Sequence, residues 1–262
     1  MIDFQFIKFE VMENTAVITM NRPEVYNALS LVAKKEIIEA IKLANKDPMV
    51  RSIILTGEGK AFCTGQDLND RAIQGDKGPV DLGYTLETEW NPLINSLRGS
   101  GKIIIGAING VCAGAGVSIA LALDLLVSKP KVKFISGFSK LGLAPDAGST
   151  FGMTNSLGPK KALEFFLFSD GLLAEDLKNG DLINFIDENP LEFSKALALK
   201  INQLAPNSVS MIKTNIMYSM EASFKDSMFK ETCTQRFLGN SKDYQEGLAA
   251  FFEKRNANFK GV

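Results

Sequence analysis

Histidine is absent from all 262 residues of the chain. That gap excludes Ser-His-Asp triads, Cys-His pairs and His-ligated zinc sites. Acid–base work is left to Asp, Glu, Lys, Tyr or Cys. Cysteine is scarce as well. Cys63, Cys112 and Cys233 are too few and too scattered for a disulfide framework or a zinc ribbon, and no metal site is expected. They read as reduced structural thiols, with Cys63 nearest a loop that could use a reactive sulfur. No apolar run approaches the ~20 residues of a membrane span, and MIDFQFIKFEV lacks the charged-then-apolar order of a signal peptide. NANFKGV is not a peroxisomal tripeptide. Charge of either sign is not in excess, the formal net charge being −1. Neither nucleic acid nor anionic membrane is therefore expected as a partner, and the cytoplasm is the expected compartment.

What is present is an ordinary globular composition, 45% apolar, with material for a sizeable core. FQFIKFEV and TAVITM read as strands joined by a hairpin at Glu13-Asn14. Ser30 is placed to cap a helix over LVAKKEIIEAIKLANK, with Ile37, Ile38 and Ile41 on its apolar face. A strand, RSIILTG, then leads through a Gly-rich loop into AFCTGQDLND. Residues 70 to 85 are polar and marked by Gly and Pro, as expected of a surface loop or of a segment beside a pocket. A helix over roughly 86 to 98 precedes the apolar strand KIIIGAING. A further helix at 114 to 123 is followed by strands at DLLVS and KVKFISGF. Beyond about 150 the pattern is helical, with segments at 159–168, 173–179, 190–204, 207–220, 223–238 and 241–254 and a strand near LINFI. Alternating strands and helices followed by a helical tail predict an α/β core (1–200) carrying a C-terminal helical region (201–262).

Three stretches can carry chemistry. NGVCAGAGVSIALALDL (109 to 125) has the strand–Gly–helix context of a dinucleotide loop. Ile119, however, stands where the third glycine of G-x-G-x-x-G would be, which argues against a nucleotide. Small residues from Ala113 to Gly116 at a helix start still leave N–H groups bare, and the helix dipole favours negative charge there. Tight helix–sheet packing explains the same residues. In AFCTGQDL the Gln66 N–H is a second bare donor, and Asp67 is placed to cap the next turn. Two such donors converging on one oxygen make an oxyanion hole. In FSKLGLAPDAGST, Asp146 is the one local acid. It reads either as a helix N-cap or as a partly desolvated carboxylate serving as general base.

Taken together, these motifs resemble the enoyl-CoA hydratase/isomerase (crotonase) superfamily almost end to end. MNRPEVYNALS is similar to its N-terminal motif, GKAFCTGQDL and INGVCAGAGVSIALALDL to its oxyanion segments, and EGLAAFFEKRNANFKG to its closing pattern. GQDLNDR with GFSKLGLAPDAGST looks most like the 1,2-epoxyphenylacetyl-CoA isomerase and enoyl-CoA isomerase type. The resemblance implies a ββα spiral core with C-terminal helices that build trimers, often paired into hexamers. It also implies an acyl-CoA substrate with no separate cofactor. It puts the oxyanion N–H donors on Gln66 and Ala115, the latter commonly glycine and tolerable as alanine if φ is negative. The two glutamates of hydratases fall on Ser118 and Phe138, and Asp146 matches the aspartate of isomerase-type members. Implied contacts to CoA or substrate are Arg22, Ala61, Gln66, Asp67, Leu68, Gly114, Phe138, Leu141, Phe251 and Lys254. Arg22 and Lys254 also read as plain surface charges.

One base that removes a proton and returns it two carbons away suffices for a double-bond shift. Hydration is easiest with two carboxylates. An aqueous carboxylate of pKa about 4 is a weak base for a carbon acid. Apolar neighbours (Phe138, Leu141 and Leu143) are expected to raise the Asp146 pKa, and each oxyanion donor to supply roughly 3 kcal/mol. The expected activity is therefore acyl-CoA isomerisation, either 3-enoyl to 2-enoyl or of a ring-epoxide phenylacetyl-CoA. The alternatives are a 2-enoyl-CoA hydratase recruiting Glu87 or Glu89, a non-catalytic acyl-CoA-binding or RNA-associated member of the fold, and a nicotinamide-dependent reductase.

Overall fold

A computed structural model describes residues 3–72, 81–168, 171–179 and 182–262. Its strands are β1 (Ile7–Met12), β2 (Thr15–Met20), β3 (Ser52–Gly57), β4 (Ala61–Cys63), β5 (Ile103–Ile108), β6 (Val111–Ala113), β7 (Leu125–Ser128), β8 (Lys133–Ile135), β9 (Leu172–Leu173) and β10 (Phe185–Ile186). The helices are α1 (Leu31–Lys46), α2 (Leu68–Ala72), α3 (Leu82–Thr85), α4 (Asn91–Arg98), α5 (Ala115–Ala122), α6 (Ser149–Phe168), α7 (Ala174–Asn179), α8 (Pro190–Asn202), α9 (Pro206–Ser219), α10 (Phe224–Leu238) and α11 (Lys242–Glu253). A π-helical turn, Leu86–Trp90, joins α3 to α4.

The expected hairpin is present: Glu13 and Asn14 both take positive φ (49° and 63°) between antiparallel β1 and β2. That two-residue turn matches the twist of the strands it joins. β2, β3, β5, β7 and β10 continue the sheet in parallel. Every residue of β3 is buried, as a central parallel strand covered on both faces requires. A smaller sheet has the order β4-β6-β8-β9. The chain therefore repeats one turn three times: a strand in the large sheet, a strand in the small one, then helix. The turns are β3–β4 followed by α2 to α4, then β5–β6–α5 and β7–β8–α6. This is the ββα spiral, and it gathers the C-terminal ends of β4, β6 and β8 at one edge.

The main core fills the space between the sheets and helices with Ile37, Leu55, Phe62, Trp90 and Phe134. On the far face of the large sheet Val17, Ile54, Ile105 and Val127 pack under α8 through Ala198. Ser30 caps α1 by accepting the Ala33 N–H at 3.2 Å, and the Lys213–Asp124 ion pair (2.9 Å) pins α9 to the core.

Two elements differ from expectation. α6 is two helical segments joined at a break: the expected helix over 159–168 follows non-helical Gly158 (φ 77°), and a further segment, 149–157, precedes it. β9 has only two residues, too short for a periodicity to reveal. Of the polar stretch 70–85, residues 73–80 lie outside the described residues. Among the described residues no helix is long and apolar enough to cross a membrane.

Candidate active site

The register of the small sheet builds the site. Cys63 of β4 stands beside Cys112 of β6, and Ala113 beside Ile135 of β8, so the segments that follow these strands emerge together. After β4 the chain turns at Gly65, φ 88°. The Leu29 N–H donates to the Gly65 carbonyl at 2.7 Å, and the Asp67 N–H donates to the Leu29 carbonyl at 3.1 Å. In an extended segment alternate peptides face opposite ways. With Gly65 and Asp67 turned toward Leu29, the Gln66 N–H faces away from it.

Gly114 (φ 51°, ψ −130°) makes the matching turn after β6, its N–H donating to the Ile135 carbonyl at 2.9 Å. Ala115 is the first residue of α5, where an N–H has no acceptor in the preceding turn. Neither the Gln66 nor the Ala115 N–H takes part in the loop and cap hydrogen bonds of the described residues. The two loops touch backbone to backbone. A Cβ on Gly65 would lie 2.8 Å from the Ala115 nitrogen, and one on Gly116 would overlap the Cys63 carbonyl. Ala115 is not among the positive-φ residues, so its methyl is tolerated. The arrangement offers two backbone donors, that of Ala115 at a helix N-terminus, which is what a developing oxyanion needs.

Asp146 lies against the same helix. Its carbonyl accepts from Ser118 Oγ at 3.1 Å, from Ser149 Oγ at 2.8 Å and from the Ser149 N–H at 3.0 Å. Ser118, 1% exposed, is one helical turn beyond Ala115. The turn continues through Ala147 (φ 50°) and Gly148 (φ 78°). Because α6 begins at Ser149, its cap position falls on Gly148, and Asp146 is two residues too early for the N-cap reading. Its Oδ1 is sealed from solvent. Among the apolar residues expected around it, Phe138 is buried, Leu143 half-buried, and Leu141 64% exposed. A cavity of about 320 Å³ opens behind this turn, lined by Ile94, Ser118, Leu121, Ala147 and Phe151.

Residues 10–262 match the family model described as enoyl-CoA hydratase/isomerase. The chain belongs to this family. It is 34% identical over 259 residues to a 1,2-epoxyphenylacetyl-CoA isomerase of Escherichia coli (strain K12), covering 98% of this chain and 99% of that protein. It is 33% identical over 260 residues to a probable enoyl-CoA hydratase of Rhodobacter capsulatus, with the same coverage. The crystal structure of an enoyl-CoA hydratase from Bacillus anthracis superposes with a TM-score of 0.93 at 26% identity, covering 98% of this chain and all of the other.

Measured against the family motifs, the CoA candidates fall into separate places. Ala61 is buried, its carbonyl accepting from the Asn27 and Asn109 side-chain amides at 2.8 and 3.2 Å. Asp67 accepts the Asn69 N–H at 3.0 Å, the capping role expected of it, and also pairs with Arg22 Nη1 at 2.8 Å. Arg22 is thus no plain surface charge: it donates to the Ala28 carbonyl at 2.8 Å and lies 4.8 Å over the Phe6 ring. Leu68 is exposed beside this pair. Phe251 lies on α11, where it lines a groove with Ala205, Tyr244 and Phe259, and Lys254 is exposed at the end of that helix. Neither shares a hydrogen bond with the oxyanion loops among the described residues. A reactive role for Cys63 is overturned. Burial pushes its thiol up to about 12, against a smaller pull from the Gly65 N–H, so it stays protonated at neutral pH.

Sequence reasoning missed the contacts of the Gln66 side chain. Its Oε1 accepts from Lys34 Nζ at 2.9 Å and from Trp90 Nε1 at 3.0 Å, and Lys34 also pairs with Glu89. A signal was available, since Lys34 falls on the helical stripe of Ile37 and Ile41. Glu89 is thereby committed to an ammonium, and Glu87 is exposed. Among the described residues no group of three or more metal-ligating side chains gathers.

Proposed function

We propose that this protein isomerises an acyl-CoA thioester, with Asp146 as proton shuttle and the Gln66 and Ala115 N–H groups as the oxyanion hole. The observation that carries the reading is the Ser118–Asp146 contact. At the helix position where the motif of hydratases has a glutamate, this chain buries a serine whose hydroxyl holds the backbone of the only acid on the facing turn. The other glutamate position is Phe138, also without a carboxylate.

With a 3-enoyl-CoA, the Asp146 carboxylate takes a proton from C2. The C–H electrons move into the thioester carbonyl, giving a dienolate whose oxygen rests on the two N–H groups. The same carboxyl returns the proton at C4 and leaves the 2-enoyl product. No electrons are gained or lost overall, so the chemistry asks for no cofactor. Each donor is worth roughly 3 kcal/mol of transition-state stabilisation. Isomerisation of a ring-epoxide phenylacetyl-CoA would use the same thioester clamp, with the carboxyl assisting ring opening; the Escherichia coli relative carries the name of that activity. The CoA portion lies along Ala61, Leu68 and Gly114 in this reading, with Arg22 acting through Asp67. Phe251 and Lys254 serve it from α11, and a homotrimer or hexamer forms through the C-terminal helices, which expose Phe224, Phe229 and Phe252.

The test is isomerisation of a 3-enoyl-CoA by Asp146→Ala, with hydration of a 2-enoyl-CoA measured beside it. Loss of isomerisation in a folded variant is expected. Activity near that of the unmodified protein, or hydration faster than isomerisation, sinks the proposal.

A further inference from the structure

Lys34 is an unusual side chain to find fully buried. It is 0% exposed, on the face of α1 that also carries Ile37 and Ile41 into the core. Isolating an ammonium there is costly, and well-packed apolar residues in place of an ion pair are often neutral or stabilising. A structural account therefore leaves the pair unexplained.

Its contacts supply another account. Lys34 Nζ pairs with Glu89, lies 4.8 Å over the Trp90 ring and donates to Gln66 Oε1 at 2.9 Å. Trp90 Nε1 donates to the same oxygen at 3.0 Å. The other end of the amide, Gln66 Nε2, donates to the Asp67 carbonyl at 3.0 Å. Both ends of the Gln66 side chain are thus engaged, while Leu29 fixes the peptides on either side of it. The residue whose N–H faces the site is held by its side chain from within the core, through groups on α1 and on the π-helical turn Leu86–Trp90.

We infer that Lys34 and Glu89 are positioning residues for the oxyanion hole: the ammonium, neutralised by Glu89 and backed by Trp90, anchors the Gln66 side chain and so fixes the direction of the Gln66 N–H. The inference rests on the reading that this N–H receives the thioester oxygen. Catalytic donors must be held within fractions of an ångström, and a misplacement near 1 Å costs about 10²-fold in rate. Gln66 cannot supply that rigidity alone, because it stands on a loop that has just turned at a glycine.

The experiment compares the unmodified protein with Lys34→Met/Glu89→Leu, which replaces both charges by apolar side chains of similar reach, and with Gln66→Leu, which keeps the N–H and removes its anchor. Two readouts are taken: kcat and KM for a 3-enoyl-CoA, and the ratio of affinities for a 3-oxoacyl-CoA, bound as its enolate and followed by absorbance, and a saturated acyl-CoA. In both variants kcat should fall about 10- to 100-fold with KM within about threefold, and the enolate preference should fall by the same factor. A folded double variant with unchanged kcat and enolate preference overturns the inference, as does a rise in KM at constant kcat. If the double variant does not fold, Gln66→Leu decides by the same criteria. Failure of the underlying reading looks different: the unmodified protein would then show no enolate preference at all.

Discussion

The oxyanion loops and the Asp146 turn face the same helix, one turn apart on α5, yet they are built by opposite means. In the proposed mechanism the working atoms of the loops are backbone N–H groups, so side chains are free to hold the loop in place and glycines let two backbones meet. On the Asp146 turn the same mechanism uses a side chain, and there the backbone is what is tied down. Three hydrogen bonds converge on the Asp146 carbonyl, two of them from Ser149. A site divided this way should respond to mutation in two distinct patterns. Side-chain changes on the turn should abolish chemistry and spare the fold. On the loops only changes that move backbone, or its anchors, should matter.

Asp146→Asn gives the largest expected effect. General acid–base groups contribute about 10²- to 10⁴-fold, so isomerisation should fall by about 10³-fold. The melting temperature and the affinity for a saturated acyl-CoA should stay near those of the unmodified protein, because the backbone ties survive. A large drop in melting temperature would break the contrast by showing that the carboxylate also holds the turn.

Gly65→Ala probes the other side. The new Cβ would meet the Ala115 nitrogen at 2.8 Å while the backbone is at φ 88°. Separating the loops should lower kcat by about 10²-fold, and the left-handed backbone should cost about 1–2 kcal/mol of stability. Kinetics paired with chemical denaturation will show both effects at once, unlike Asp146→Asn. Ser118→Ala, which cuts the tie between the two regions, should be milder: about 1 kcal/mol of stability and tenfold or less in kcat.

Legibility in the sequence follows the same division. The loops were readable because close backbone approach demands glycine, and Gly65 and Gly114 stand where a strand ends and a helix begins. Asp146 was readable because histidine is missing and because Ser118 and Phe138 stand where the resemblance puts the glutamates of hydratases. The helical segment 149–157 was not. Gly158 and Pro159 mark a real break and the start of the second segment, while STFGMTNSL before them is short and largely polar and gives no helical period of its own. Nor was the Lys34–Glu89 pair, since a lysine within an apolar stripe has no visible partner until residues 55 apart meet. Arg22 is a similar case, its guanidinium, just after β2, taken up by Asp67 in the loop that follows β4. Long-range pairing of charges is set by topology, and local pattern carries little of it.

A pH profile can separate the turn from the rest of the fold, provided that the acids supporting the fold are known. Glu246 is one. Hydrogen bonds from Arg255 (2.6 and 2.9 Å) and then from the Asn258 N–H (2.7 Å) hold its carboxyl down at about 2, from an ordinary 4.5. Its folded-state value lies below the unfolded one, so its contribution to stability is complete above pH 4.5 and is lost as pH falls toward 2. Asp124 has the opposite sign. Burial raises its carboxyl above the ordinary 3.8, against the pull of Lys213, so its contribution is present at low pH and is lost as pH rises through the folded-state value. Arg255→Gln should therefore flatten the fall in melting temperature between pH 4.5 and 2 and leave the Asp124 slope in place. It should also leave the pH dependence of kcat unaltered, because Glu246 lies on the C-terminal helix rather than on the turn. If the kcat profile moved with this substitution, the tail would be coupled to Asp146, and the two regions on α5 could no longer be treated as a site independent of the helices that follow.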